Sequence, residues 1–350
     1  MKPQNLPPHA SFGDCAYQAM QKHFNKAIKS EAEVRQDVDP EPLHQMRVGM
    51  RRLRTALRVF EPAVEVPKAA KQKKIGKIAR VLGTVRDADV MSSNLRDRYL
   101  PSLKGKERKR LQKVIDRLDK QRRRDFAQME NILEHSRYRK FKQGFEAWFE
   151  NPHFRAIAEV PIADVLPDLM LPLISQLLLH PGWMVGTHWE NGKLVVNPID
   201  STQDLNHLLE REGTELHELR KQMKRVRYQS EFFLDFYDPP YADCVKEFKQ
   251  IQDVLGELQD YWVMKEFLTL ELEQDLEKAL PTLAEQFQQE RFQLWQQWQP
   301  IQQRYLDAAF RQSLRVQVSH PTITTQKLEP EPDSPSSDGA TPQPATETVS

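Results

Sequence analysis

The chain has 350 residues, enough for two domains or for one large domain with internal duplication. Its 51 basic and 50 acidic residues nearly cancel, so the global charge selects no partner. Two distant cysteines, Cys15 and Cys244, exclude a disulfide framework and a cysteine-based metal site, which makes a reducing cytoplasm the expected compartment.

Glycine is scarce, at 12 residues, so helix is expected nearly throughout. Residues 1–11 contain no apolar run of the kind a signal peptide needs and are expected to be a flexible N-terminus. Residues 12–37 read as a helix stopped by DVDPEP. Pro40 and Pro42 then open a second helix that ends near Glu61, since proline is tolerated in a first turn. A third helix covers 68–97, a long basic one 102–135 and a shorter one 137–150. Residues 151–200 break the pattern and form a connecting insert. Its stretch PIADVLPDLMLPLISQLLLH (161–180) is the most apolar of the chain, but two aspartates and three prolines interrupt it, so no membrane span is expected. HPGWMVGTHWENGKLVVNPID (180–200) carries an Asn-Gly pair between short extended runs, a hairpin signal. Helices resume near 202, with Ser201 or Thr202 as N-cap, and continue to 234, over 241–270 and over 282–317. Residues 319–350 are rich in Pro, Ser, Thr and acid and are expected to be a disordered tail.

Charge is distributed unevenly along this path. Residues 41–150 hold 29 Lys and Arg against 14 Asp and Glu, leaving 22 against 36 elsewhere. Such asymmetry suggests a polyanion-facing region. Its centre is LHQMRVGMRRLRTALRVF (43–60), and residues 216–233, LHELRKQMKRVRYQSEFF, nearly repeat it. At an offset of 173, His44 matches His217, Arg47 matches Arg220, Arg51 matches Lys224, Arg52 matches Arg225, Arg54 matches Arg227 and Phe60 matches Phe233. The same offset lays IARVLGTVRDADV (78–90) over IQDVLGELQDYWV (251–263), pairing Gly83 with Gly256 and Asp87 with Asp260. The chain therefore reads as two homologous helical repeats, 12–150 and 201–318, and a duplication of this length argues for two similar bundles about a pseudo-twofold axis.

On a helical wheel His44, Arg47, Arg51, Arg54 and Arg58 fall within about 80° of arc, opposite an apolar stripe of Met46, Met50, Leu53, Leu57 and Phe60. His217, Arg220, Lys224 and Arg227 repeat the polar stripe. Arg52 and Arg225 lie off it. Like charges at such spacing repel, so the stripe calls either for acids on a neighbouring helix or for an anionic ligand. Arginine's planar fork suits phosphate oxygens, and histidine adds a donor whose charge changes near neutral pH. Lys73, Lys74, Lys77 and Arg80 share one face of the next helix as supporting cations. Lys106, Arg108, Lys109 and Arg110 read as a solvated helix start, while Arg122, Arg123, Arg137, Arg139 and Lys140 are candidates for the border of a basic cavity.

The pattern H-x-x-R-x-x-x-R-R-x-R, present as LHQMRVGMRRLR and, with Lys224 in place of one arginine, as LHELRKQMKRVR, resembles the CHAD domain, the conserved histidine α-helical domain. VLGTVRD (81–87) and VLGELQD (254–260) are its second markers, and the resemblance covers about residues 12–317. It implies an all-α fold of two homologous four-helix bundles related by a pseudo-twofold axis; the hairpin-like insert between them, 151–200, departs from the family pattern. It also implies inorganic polyphosphate bound non-catalytically in a basic central pocket, and association with polyphosphate granules. The residues carried over are His44, Arg47, Arg51, Arg52, Arg54, His217, Arg220, Lys224, Arg225 and Arg227, with Lys74 and Lys77 in support. No cofactor or metal is expected, because arginines beside the histidines repel a cation. Other polyanions stay open as partners. Non-specific nucleic-acid binding is one alternative, although few aromatics stand among the arginines to stack bases. A part in polyphosphate or triphosphate hydrolysis is another, although EAEVR (31–35) matches the E-x-E-x-K mark of triphosphate-cleaving domains poorly.

Overall fold

The computed structural model describes residues 10–322. Its first helix, α1 (Phe12–Lys29), starts on a reciprocal cap: the Asp14 backbone N–H donates to Ser11 Oγ at 3.0 Å and the Ser11 N–H donates to the Asp14 carboxylate at 3.0 Å. The single helix expected over 12–37 breaks at Ser30, which separates α1 from a one-turn helix α2 (Glu31–Val34). Asp37, at φ +51°, then turns the chain into α3 (Pro40–Val59). There Asp39 caps the first turn by accepting from the Glu41 N–H at 2.8 Å, and Pro40 occupies a position whose N–H would have had no partner.

α4 (Gln72–Ser93) follows, with Lys68–Ala70 in a separate 3-10 turn. It runs into a π-type turn at Asn94–Tyr99 before α5 (Gly105–Glu134) and α6 (Ser136–Glu150). The insert differs from expectation, because residues 162–178 are helical. α7 (Ile162–Leu178) accommodates Pro167 and Pro172 within it. Over Ile162–Met184 the mean hydropathy is 1.6, high enough to cross a membrane by length and composition. Its residues Leu166, Met170, Leu173, Ile174 and Leu177 are nevertheless core residues, covered by the last helix and by α8. The hairpin itself is present: β1 (Thr187–Glu190) pairs antiparallel with β2 (Lys193–Val196) across Asn191 and Gly192, both at positive φ.

The second half comprises α8 (Thr202–Ser230), α9 (Pro239–Leu272), α10 (Leu276–Ala279), α11 (Pro281–Leu306) and α12 (Ala308–Ser319). Ser201 caps α8, accepting from the Asp204 N–H at 3.1 Å. The helix expected over 282–317 is divided at Asp307, which caps α12. The chain is thus mostly helical, with one small two-stranded hairpin. The expected flexible N-terminus begins to order within its bounds, since Ala10 is buried and its carbonyl accepts from the Ile162 N–H at 3.0 Å. At the other end Ser319 still belongs to α12, and the Thr322 N–H donates to the Phe236 carbonyl at 2.9 Å. The rest of both expected segments, 1–9 and 323–350, lies outside the described residues.

Two aromatic clusters anchor the halves. Phe24, Phe141 and Phe145 pack together under α1 and α6. In the second half Trp183 stacks on Trp298 at 5.3 Å and on Tyr305 at 4.6 Å. α1 crosses α3 at Gly49, where a Cβ atom would stand 2.6 Å from the Ala27 nitrogen, so only glycine permits this approach. The apolar stripe of α3 faces this contact: Met46, Met50 and Leu53 are fully buried. The halves are also tied through Glu290 on α11, which accepts from Arg98 at 2.9 Å, from Tyr99 at 3.0 Å and from Tyr261.

Candidate functional site

α3 and α8 pack against each other, each with its apolar stripe in the core, so their basic stripes are held at one junction. The pairing within each repeat is the same. Arg47 donates to Asp87 on α4 at 2.5 Å, and Arg220 stands 3.9 Å from Asp260 on α9. The glycine of each VLG marker lies under the corresponding arginine: a Cβ at Gly83 would be 3.8 Å from the Arg47 guanidinium, and one at Gly256 would be 3.6 Å from Arg220 Nε. The second marker therefore supplies a flat seat for the arginine and a carboxylate to hold it. Gly76 gives Arg54 a similar seat, at 3.4 Å.

Between the repeats the charges converge. Lys224 is pushed down to about 8 by burial and by Arg220, Arg51 and Arg47, with Asp260 opposing. Burial also raises the Asp260 carboxyl, and Asp87, its counterpart, adds to the rise. Burial lowers the guanidinium of Arg51, with Arg47 and Arg227 contributing. Among the described residues, Arg51, Arg54 and Arg220 each bury an Nε donor that has no acceptor. A buried donor without a partner costs about 1–3 kcal/mol, so such a set marks a place that an acceptor-rich ligand would complete.

The two histidines are held neutral. Burial lowers His44 first, then Arg86; burial lowers His217 first, then Lys221. Gln259, the counterpart of Arg86, works in the other direction on the His217 ring. Arg86 is a further candidate for the site, and it stands inside the VLGTVRD marker. Its buried Nε has no acceptor either.

Not every expected residue joins this set. Arg52 forms an ion pair with Glu231 and donates to the Tyr228 carbonyl at 3.3 Å. Arg227 pairs with the same Glu231 at 2.7 Å and donates to Gln252 at 3.1 Å. Both guanidiniums, with that of Arg51, lie within 6 Å of the Tyr228 ring, the Arg51 carbon at 4.5 Å. Arg52 and Arg227 are thus committed to the fold by Glu231, which occupies the position that Arg58 holds in the first repeat. Arg225 is exposed, and beyond burial its nearest influence is Arg58. Lys74 and Lys77 are exposed on α4. On the α4 wheel Lys77 lies about 100° from the Gly76 line and Lys74 about 160°, so Lys77 borders the stripe and Lys74 faces away. Arg80, at about 40°, is nearer than either, and it lowers the Arg54 guanidinium together with Arg58. Arg122 does not border the site as a free cation, because Asp37 and Asp89 both bind it. Two concavities lie away from the stripes, one of about 90 Å³ beside Tyr261 and Arg291 and one of about 270 Å³ beside Asp14 and Arg155.

The fold and the site define a class: a helical domain in which a His/Arg helix and a Gly/Asp helix occur twice and bring their cations together. Residues 18–269 match the sequence model of the CHAD domain, and the chain belongs to the CHAD domain family. Among solved structures it is similar to the CHAD domain from the plant Ricinus communis, at 24% identity and a TM-score of 0.57, covering 92% of this chain and 97% of that one. It is also similar to PptA from Streptomyces chartreusis, at 14% identity and a TM-score of 0.50, covering 82% and 100%. No curated protein matches the chain.

Proposed function

We propose that the chain binds inorganic polyphosphate without cleaving it, at a basic central pocket between α3 and α8. His44, Arg47, Arg51, Arg54, His217, Arg220 and Lys224 make the contacts, joined by Arg86. On this reading the two repeats are four-helix bundles about a pseudo-twofold axis, and the protein is cytoplasmic and held at polyphosphate granules. The observation that carries the reading is the pair of buried guanidinium donors without acceptors at Arg51 and Arg220, where charges from both repeats converge, with Arg54 a third such donor further along α3. An extended phosphate chain presents closely spaced oxygens that can satisfy all three at once.

The test is titration of the protein with long-chain polyphosphate at physiological salt, with single-stranded RNA as competitor. An Arg47→Ala/Arg51→Ala/Arg220→Ala variant is measured beside it. Tight binding that RNA does not displace, lost in a variant that keeps its helical circular dichroism, is the expected result. Displacement by RNA would replace the reading with non-specific nucleic-acid binding. Release of phosphate on incubation with polyphosphate and magnesium would replace it with hydrolysis.

A further inference from the structure

Lys224 is the one amine among the arginines where the stripes meet, and an amine has chemistry that a guanidinium lacks. The corresponding residue of the first repeat is Arg51. Lys224 lies one turn after Arg220, which stands 3.9 Å from Asp260 on α9, and one turn before Tyr228, whose ring carries the Arg51 guanidinium of α3 at 4.5 Å; Arg47 lies one turn before Arg51 on the same helix. Among the described residues no carboxylate comes within ion-pair distance of its ammonium, whereas Lys221, one turn back, is paired with Glu218 at 2.6 Å. The side chain is half-buried rather than sealed, so a small reagent can reach it. Burial and the three guanidiniums push its ammonium down to about 8. A share of it is therefore free amine near neutral pH, where an ordinary lysine, at about 10.4, is almost wholly protonated.

We infer that Lys224 is a site of acylation by acyl phosphates, with Arg47, Arg51 and Arg220 gathering the phosphoryl group and the Lys224 amine attacking the adjoining carbonyl carbon. The neutral amine supplies the electron pair for the new C–N bond, and the C–O bond to the phosphoryl group breaks. Inorganic phosphate leaves with that bonding pair, and the proton shed by nitrogen passes to the departing phosphate or to water. The reagent carries its own activated acyl group, so no oxidant, reductant or further co-reactant enters. The product is an amide, neutral at every pH, which removes one positive charge from the junction of the stripes. Acylation thus weakens the hold on a polyanion, and a bound polyanion shields Lys224 from acylation. The inference rests on the anion-binding reading of the stripes and not on polyphosphate as the particular ligand.

The experiment is incubation of the intact protein with acetyl phosphate at pH 7.5, followed by peptide mass spectrometry that reads the acetylation rate of each lysine. Lys224 is expected to react on the order of tenfold faster than the exposed Lys74 and Lys77. Inorganic pyrophosphate added to the wild-type protein is expected to slow Lys224 alone. The same slowing is expected in Arg220→Gln, and the pyrophosphate arm decides the matter if that variant fails to fold. A Lys224 rate no higher than that of Lys74 and Lys77, or a fast rate indifferent to pyrophosphate, overturns the inference. Polyphosphate titration of the same preparation separates the two readings. Fast, pyrophosphate-sensitive acetylation without polyphosphate binding sustains the acylation site and removes polyphosphate as ligand. Polyphosphate binding with an unreactive Lys224 removes the acylation site alone.

Discussion

Phe60 and Phe233 stand 173 residues apart at matching positions of the two repeats, and their rings meet edge to face at 6.0 Å with an interplanar angle of 71°. A residue that touches its own counterpart is the mark of a twofold contact. The influence of Arg51 on Lys224, and of Asp87 on Asp260, follows the same rule. These pairs support the proposed pseudo-twofold relation. They also explain why two stripes of like charge converge: each stripe shares a helix with the apolar residues that lead to the Phe60–Phe233 contact.

Gly49 sets the position of the first stripe. A Cβ at this residue would stand 2.6 Å from a backbone nitrogen of α1, which has no rotamer by which to yield. Gly49→Val is expected to destabilise the protein by about 1–3 kcal/mol through overpacking. Urea unfolding of the variant beside wild type reads this directly, and an unchanged midpoint would show that α1 is free to move.

Arg52 and Arg220 belong to the same motif but predict opposite outcomes. Arg52→Ala leaves the half-buried Glu231 with Arg227 as its remaining partner, so the loss falls on stability, by about 2 kcal/mol, with polyanion affinity nearly unchanged. Arg220→Ala removes a buried Nε that has no acceptor and only a long pairing with Asp260, at 3.9 Å, so the loss falls mainly on affinity. Thermal melts and polyphosphate titrations on the two variants check this reversal.

Polyanion binding should strengthen as the solution becomes more acidic. Both His44 and His217 lie below their ordinary value of 6.5 in the free protein, so each is neutral at pH 7. A bound polyanion favours the imidazolium and raises both, so binding takes up protons, and affinity rises as pH falls toward 6. Calorimetric titration in two buffers of different ionisation enthalpy measures the uptake. An affinity that is flat between pH 7 and 6, below the range in which Lys224 titrates, would mean that the histidines do not face the ligand.

His23, under α3, governs acid stability instead. Burial and then Arg52 press its imidazole down to about 3, and its ring meets Phe232 at 5.5 Å. A folded-state value below the unfolded one gives stability that is fully present above pH 6.5 and is lost as pH falls toward 3. At pH 4.5 the loss is about 2.5 kcal/mol from this one group. His23→Phe is expected to flatten the acid limb of stability measured by urea unfolding at pH 7 and pH 4.5.

The helical class, the family and the Asn191–Gly192 hairpin were legible in the sequence because each rests on local signals: periodicity, a repeated motif and a turn dipeptide. The carboxylate partners of Arg47 and Arg220 were legible in outline, since Asp87 and Asp260 recur at the same offset. α7 was not, because Pro167, Pro172 and two aspartates outweigh the apolar periodicity of 162–178 until tertiary packing is added. The commitment of Arg52 to Glu231 was equally hidden, whereas Arg227 and Glu231 stand at i, i+4, a spacing the sequence does show. Arg52 reaches Glu231 across the repeats, and spacing within one helix says nothing about which acid another helix will present. Arg122 was misjudged for the same reason, its partners Asp37 and Asp89 lying 85 and 33 residues away.

α7 and α12 form one wall of the core, although about 130 residues of chain separate the end of the first from the start of the second. During synthesis, then, the most apolar helix of the protein leaves the ribosome long before the last of the helices that cover it exists. Even with α8 in place, a nascent chain carries the face that α12 covers through the making of α9 and α11, open to aggregation and to chaperone capture. Whatever the finished molecule holds between its basic helices, its passage to the folded state waits on the arrival of a twelve-residue helix near its end.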